Sequence, residues 1–185
     1  MQREARIARD SLLAIRCQLG EADAFRALVE EMERPLLYYV TKLIGDADGA
    51  VDVLQQLWMQ VFASIGRLRE PAALRTWLYR IARGIALNRI RSEGVRRRIE
   101  REAAEATRSE PEEEVRFDEA DVSALHAALD LLSEPHREAL VLHFLEELSI
   151  GEIAGVVGVP AGTIKSRIFH AKRELRKHLE RRVHE

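Results

Sequence analysis

One cysteine, Cys17, is all this chain has. A disulfide framework needs pairs and a cysteine zinc site needs several thiolates, so neither can be built within the chain. A lone thiol fits a reducing cytoplasm. Glycine and proline are scarce, at 10 and 5 of 185 residues, and aromatics make up only 5%. That balance disfavours a sandwich or barrel and suits helices. No uninterrupted apolar run is long enough to cross a bilayer, which predicts no membrane insertion. The first ten residues are charged throughout, unlike a secretory leader. Also missing are a glycine-rich phosphate loop, a nucleophile elbow and paired histidines at metal spacing on a helix. His136 and His143 lie a heptad apart in one helix and, like His126, His178 and His184, read as satisfied or solvated. These absences predict no enzyme, no cofactor and no metal site.

What the chain does have is apolar residues for a core, at 46%, and charge sorted into blocks behind a net charge of only −2. Arg67 to Arg101 holds eleven arginines against three glutamates. Glu102 to Asp121 holds nine acids against two arginines, and Gly162 to Arg182 holds eight lysines and arginines against two glutamates. Two basic blocks around an acidic one suggest a polyanion touched at two places.

Nearly every segment repeats at helical period. Ser11 to Glu33 carries Leu12, Leu13, Ile15, Leu19, Phe25, Leu28, Val29 and Met32, with a break near Gly20. Pro35 to Ile44 is predicted as a second helix, stopped by Gly45-Asp46. Asp48 to Ile65 is a third, with the stripe Val51, Leu54, Leu57, Trp58, Val61, Phe62 and Ile65. Pro71 opens a fourth that runs to about Arg91. Ser92 to Asp121 is nearly empty of large apolar residues and reads as a linker, flexible around Ser109-Glu110-Pro111, with room for a short helix from Arg96 to Ala106. The prediction is an all-α chain of two small helical domains, 1–95 and 122–185, joined by a flexible charged linker, 96–121.

In the second domain, Ala124 to Leu132 reads as a helix. Ser133 is placed to cap the next, which carries Leu140, Val141, Phe144, Leu145 and Leu148. Ser149 with Glu152 forms a capping box for Ile150 to Val157. Gly158-Val159-Pro160 is a turn. The last helix has an apolar stripe of Ile164, Ile168, Ala171, Leu175 and Leu179. Ser166, Phe169, His170 and Arg173 point the other way, flanked by Lys165, Arg167, Lys172 and Arg176. A turn containing glycine before a helix with a cationic outer face is the helix-turn-helix pattern. Residues near that helix's start can reach base edges in the major groove, and later cations can meet phosphates. Phe169 lies off the stripe, where a thymine methyl would give it a partner.

In the first domain, the segment AALRTWLYRIARGIALNRIR (72–91) puts Leu74, Trp77, Leu78, Ile81 and Ile85 on one face. Arg75, Tyr79, Arg80, Arg83 and Arg91 fall on the rest. Arginines among aromatics suit single-stranded or distorted nucleic acid, the guanidinium groups tracking phosphates and the rings stacking on bases. Trp77 lies on the stripe and reads as core; Tyr79 lies off it and reads as the stacking platform.

Here the residues match a known family. LYYVTKLIGDADGAVDVLQQLWMQVF followed by TWLYRIARGIALNRIR resembles region 2 of extracytoplasmic-function sigma factors of bacterial RNA polymerase. LSEPHREALVLHFLEELSIGEIAGVVGVPAGTIKSRIFHAKREL resembles their region 4. The resemblance runs from about Leu12 to Leu179. It implies an initiation subunit without chemistry of its own, located in the cytoplasm. It implies as partners core RNA polymerase (β′ clamp helices and β flap), promoter DNA both duplex and melted, and an inhibitory anti-sigma protein that the sequence itself does not show. Asp52, Leu54, Gln55, Gln56 and Trp58 would dock on the clamp. The loop from Arg67 to Ala73 and the helix after it would read and open the −10 element, with Arg75, Trp77, Tyr79, Arg80, Arg83, Gly84, Asn88 and Arg91 at the DNA and one flipped base in a pocket. Thr163, Lys165, Ser166, Arg167, Phe169, His170 and Arg173 would read the −35 element.

Three positions depart from the family pattern. Gln56 stands for an acid, Trp58 for a phenylalanine and Gly84 for an asparagine. A glycine inside a helix costs about 1 kcal/mol against alanine, so Gly84 points either to close packing or to an altered −10 preference. Two other readings differ in kind. A two-module regulator would footprint duplex DNA alone and ignore core polymerase, but it has no need of a strand-opening helix. An enzyme would need a constellation of reacting groups that does not appear.

Overall fold

The computed structural model describes residues 2–103 and 120–183, with side chains for 3–93 and 125–180. The regular elements among them are helical: α1 (Gln2–Gln18), α2 (Ala22–Ile44), α3 (Ala47–Ser64), α4 (Leu74–Ala103), α5 (Ala120–Asp130), α6 (Glu134–Leu140), α7 (Ile150–Val157) and α8 (Ala161–Val183). Two 3-10 turns, Ile65–Arg67 and Pro71–Ala73, join α3 to α4, and a π-helical turn, Val141–Leu145, extends α6.

Several boundaries differ from the sequence expectation, among them α4, which opens at Leu74 after a 3-10 turn that holds Pro71, and α5, which opens at Ala120 instead of Ala124. Pro35 does not start a helix but sits inside α2. It forfeits one backbone bond at about 3 kcal/mol. The buried row Leu28, Met32, Leu36, Tyr39, Val40 and Leu43 on either side offsets that loss. The charged N-terminus is helical from Gln2. α4 continues past Arg91 to Ala103, in place of a separate helix from Arg96. Arginine and glutamate are good helix formers, and extending an existing helix needs no new nucleus. The expected flexibility near Ser109 to Pro111 lies outside the described residues.

α1 to α4 form the N-terminal module. Gly45 ends α2 in the left-handed region (φ 73°), its N–H donating to Thr41, and the Asp46 carboxylate accepts from Asp48 N to open α3. Several apolar residues read from periodicity as stripe positions face solvent instead: Leu12, Ile15, Leu19, Val51 and Phe62. α1 buries the small Ala14 and Cys17, and α3 buries Ala50 and Val53. Small side chains let helices approach closely, and a reading weighted toward large residues overlooks them. Burial pushes the Cys17 thiol up from its ordinary value.

The C-terminal module keeps closer to its local signals. The capping box is complete: Glu152 N donates to Ser149 Oγ at 3.3 Å, and Ser149 N donates to Glu152 Oε2 at 2.7 Å. Gly158 supplies the left-handed C-cap at φ 77°. Ser133 stands at the N-cap of α6 but its hydroxyl makes no capping bond. Of the apolar residues this helix was expected to carry, Phe144 and Leu145 are exposed on the π-helical turn, while Leu142 and Leu148 take buried positions. One hydrophobic cluster runs through both modules, from Leu28, Leu57 and Leu78 to Leu142, Ile153 and Ile164.

Candidate nucleic-acid interface

α8 buries Ile164, Ile168 and Ala171 against α6 and α7. That seats Thr163, Lys165, Ser166, Phe169, His170 and Arg173 on the solvent side, as the periodicity implied; Arg167 is half-buried at its edge. Phe169 is 65% exposed and meets the His170 ring edge-on at 5.4 Å. Lys172 is otherwise engaged, its Nζ 4.6 Å from the centre of the Phe144 ring. His170 stacks near His136, whose Nδ1 lies 2.9 Å from Glu174 Oε2. That bond from His136 holds the Glu174 carboxyl below its usual range.

α4 behaves differently, because it is covered on two sides. Leu74, Leu78, Ala82 and Ala86 face the N-terminal core. The opposite side meets α6, the π-helical turn and α7. Tyr79, expected as an exposed stacking platform, is 0% exposed. Its hydroxyl donates to Glu146, and its ring stands edge-on to Tyr39 at 5.2 Å. Tyr39 Oη donates to Glu138 Oε1 at 2.8 Å, and Arg83 Nε donates to the same oxygen at 2.8 Å. Burial, reinforced by these carboxylates, pushes both phenols well above their ordinary value, so they remain donors. Burial raises the Glu146 carboxyl as well, against the opposing pull of Tyr79, Arg75 and Arg6.

Further contacts rim this interface. Lys42 Nζ reaches Asp130 at 2.7 Å, Tyr38 Oη meets His126 Nδ1 at 2.6 Å, and Arg6 donates to the Glu146 and Glu147 carbonyls at 3.0 Å each. Burial, helped by Lys42, lowers His126, which suits it as an acceptor for the Tyr38 hydroxyl.

Arg75, expected at the DNA, is instead 2.6 Å from Asp10 and 2.8 Å from Glu31, with only 13% of its side chain exposed. Burial alone would lower its pKa; the hydrogen bond and charge of Asp10 outweigh that and raise it. Trp77 is half-buried against the core. Arg80, Gly84, Asn88 and Arg91 are exposed. Of the α4 residues expected at DNA, these four are open to solvent in this arrangement, and Arg75, Tyr79 and Arg83 are occupied by carboxylates.

Gly84 shows no close packing: a methyl group there would meet nothing within 4 Å. Gly84→Ala is therefore expected to stabilise the chain by about 1 kcal/mol, raising Tm by roughly 2–4 °C in a thermal melt. An unchanged Tm would overturn the expected gain, and a lower one would mean that the glycine is structurally required.

On α3, Asp52, Gln55 and Gln56 are exposed, and Trp58 is half-buried, edge-on to Phe25. Leu54 is 5% exposed and belongs to the core cluster. Met59 and Phe62, absent from the expected docking set, lie exposed one and two turns beyond Gln55 on its face. Arg89 Nη1 holds Asp52 Oδ2 at 3.1 Å and also approaches Asp46 and Glu93. Sequence spacing offers Glu93 as an i,i+4 partner of Arg89 but gave no sign of Asp46 and Asp52, nor of Glu138 and Glu146, whose partners lie far away along the chain.

A family model for Sigma-70 region 2 matches residues 28–96, and one for Sigma-70, region 4 matches residues 123–175. The RNA polymerase sigma-H factor of Pseudomonas aeruginosa is 33% identical over 182 residues, which is 92% of this chain and 94% of that protein. The ECF RNA polymerase sigma-E factor of Escherichia coli K12 is 31% identical over 173 residues, 88% and 90% of the two chains. Among solved structures, the sigma factor RpoE in complex with the anti-sigma factor NepR from Bartonella quintana superposes with a TM-score of 0.70. It is 25% identical and covers 84% of this chain and 96% of its own. CnrH, in complex with the cytosolic domain of CnrY, shares the fold at a TM-score of 0.66 and 21% identity, covering 92% and 97%.

Proposed function

The chain belongs to the extracytoplasmic-function sigma factors of bacterial RNA polymerase, and on that premise we propose how its side chains divide the work of starting transcription. It binds core polymerase and directs promoter-specific initiation, as an initiation factor and not an enzyme. Residues 1–95 act as region 2, 96–121 as the linker and 122–185 as region 4.

Region 4 reads duplex −35 DNA through Thr163, Lys165, Ser166, Arg167, Phe169, His170 and Arg173. The observation that carries this is the row of exposed polar and cationic side chains on α8, with Phe169 held in water. Region 2 opens and holds the −10 element with Arg80, Gly84, Asn88 and Arg91, joined by Trp77, Tyr79 and Arg83 once the two modules part. Arg75 is assigned to the fold. The polymerase clamp docks on Asp52, Gln55, Gln56 and Trp58, with Met59 and Phe62 adding apolar surface. An anti-sigma partner of the sort bound to the Bartonella quintana relative and a cytoplasmic location complete the proposal. The lone buried Cys17 and the absence of a membrane-crossing helix among the described residues accord with that location.

Run-off transcription with cognate core polymerase and a genomic promoter library tests the reading: specific start sites are expected, and no specific product would sink it. On a promoter so found, Lys165→Ala or Arg173→Ala is expected to weaken −35 duplex binding about 10- to 100-fold where a base contact is lost.

A further inference from the structure

α1 lies wholly outside the segment matched by the region 2 family model, which begins at residue 28, yet it grips the chain on both sides of the loop that leads into α4. Near its C-terminus, Gln18 Nε2 donates to two backbone carbonyls, Ile65 at 3.1 Å and Leu68 at 2.7 Å. Two turns earlier, Asp10 holds Arg75 in the first turn of α4. Between the two grips, the side chains of Ile65 and Leu68 are buried, and Arg67, Arg69 and Glu70 project into solvent. Gln18 lies eight helical steps beyond Asp10, a rigid span of about 12 Å. A loop whose two ends are fixed to one rigid rod has its exposed residues set in position before any ligand arrives.

We infer that α1 is a ruler for the −10-reading loop, and that Gln18 is the positioning residue that sets where that loop presents its side chains. The inference rests on the reading, implied by the family resemblance, that the Arg67 to Ala73 loop recognises the −10 element. Gln18 itself need not touch DNA. It acts by using both amide protons on carbonyls three residues apart, which fixes the backbone on either side of Gly66-Arg67. Specificity requires recognition groups held to within about half an ångström, and a loop released from one grip loses that constraint first.

The test uses the reconstituted holoenzyme, and its readout is a ratio: open-complex formation on the cognate promoter divided by that on a promoter with one substituted −10 base. Gln18→Leu keeps the shape and removes both donors. It is expected to reduce the ratio about tenfold, while affinity for core polymerase and for −35 duplex stays within twofold. Gln18→Lys, which restores a donor of similar reach, is expected to recover most of the ratio. Gln18→Glu, which sets an acceptor against two acceptors, is expected to do worse than leucine. A variant that is merely less stable lowers activity on both promoters alike and leaves the ratio unchanged. The double variant Arg67→Ala, Arg69→Ala separates this inference from its premise. If the double variant changes the ratio and Gln18→Leu does not, the ruler is wrong and the loop assignment survives. If neither changes it, the loop does not read the −10 element, and the inference falls with its premise.

Discussion

Glu138→Ala is expected to part the two modules of the free protein. In the docked arrangement the Glu138 side chain is 3% exposed and accepts from Tyr39 and Arg83 together. Without it, Arg83 is left mostly buried without that counter-ion, and the fully buried Tyr39 hydroxyl loses its acceptor. Removing one partner of a buried pair costs about 3–5 kcal/mol. Separation escapes that cost by returning both groups to water. The docked-to-separated ratio should therefore fall by at least about a hundredfold. Fluorescence energy transfer between dyes at the exposed positions Gln60 and Lys177 reads it directly, with Glu180→Ala as an exposed-acid control. Binding of a single-stranded −10 oligonucleotide by the free chain should rise in parallel, because Tyr79 and Arg83 are uncovered. Unchanged transfer would show that apolar packing alone holds the modules together.

Glu146 gives the same equilibrium a pH dependence. Its carboxyl is raised by burial in the docked state and regains an ordinary value when exposed. The docked state thus binds the proton more tightly. The contribution of Glu146 to docking is therefore greatest below the usual carboxylate range and is lost as pH rises through the raised value. Tyr79, Arg75, Arg6 and Glu147 are the groups that face it. Glu146→Gln is neutral at every pH and should flatten the profile.

Arg75→Ala is the second large effect, and it concerns folding. Asp10 is 7% exposed in its side chain and relies on Arg75, which also reaches Glu31. Its loss is expected to cost about 3–5 kcal/mol, a fall in Tm of roughly 6–20 °C. Arg75→Lys should recover only part, because an ammonium cannot fork between two carboxylates as a guanidinium does. Arg80, one turn and a half further on and exposed, is the contrast. Arg80→Ala should leave Tm within about 2 °C and weaken binding to the melted −10 strand. A stable Arg75→Ala protein that fails only on DNA would return Arg75 to the recognition set.

These two arginines show what a sequence can and cannot convey. Both fall off the apolar stripe of α4, and period alone makes them equivalent. They differ because α4 is packed on more than one side, which a single-stripe reading does not anticipate. Tyr79 departs from its sequence expectation for the same reason. The acids that meet this helix, Glu138 and Glu146, lie 55 and 67 residues from Arg83 and Tyr79, beyond the reach of any local pattern. By contrast, α7 and the turn into α8 were legible to the residue. Ser149, Glu152 and Gly158 satisfy their backbone partners within one turn, so the signal and the structure it specifies are both local. Leu54 marks a different limit: a family resemblance pointed to a surface role, while its spacing with Leu57 and Val61 already described a core position.

The hydrophobic cluster shared by the two modules carries a consequence for unfolding. Two small helical units that bury surface against each other cannot melt independently while they remain docked. The free chain should give a single calorimetric transition, whose van't Hoff and calorimetric enthalpies agree. Once a partner or a substitution draws the modules apart, each must stand on its own smaller core, and the transition should split in two. How cooperatively the chain melts is therefore a measure, without labels or DNA, of whether its two reading heads are folded together or free to reach a promoter.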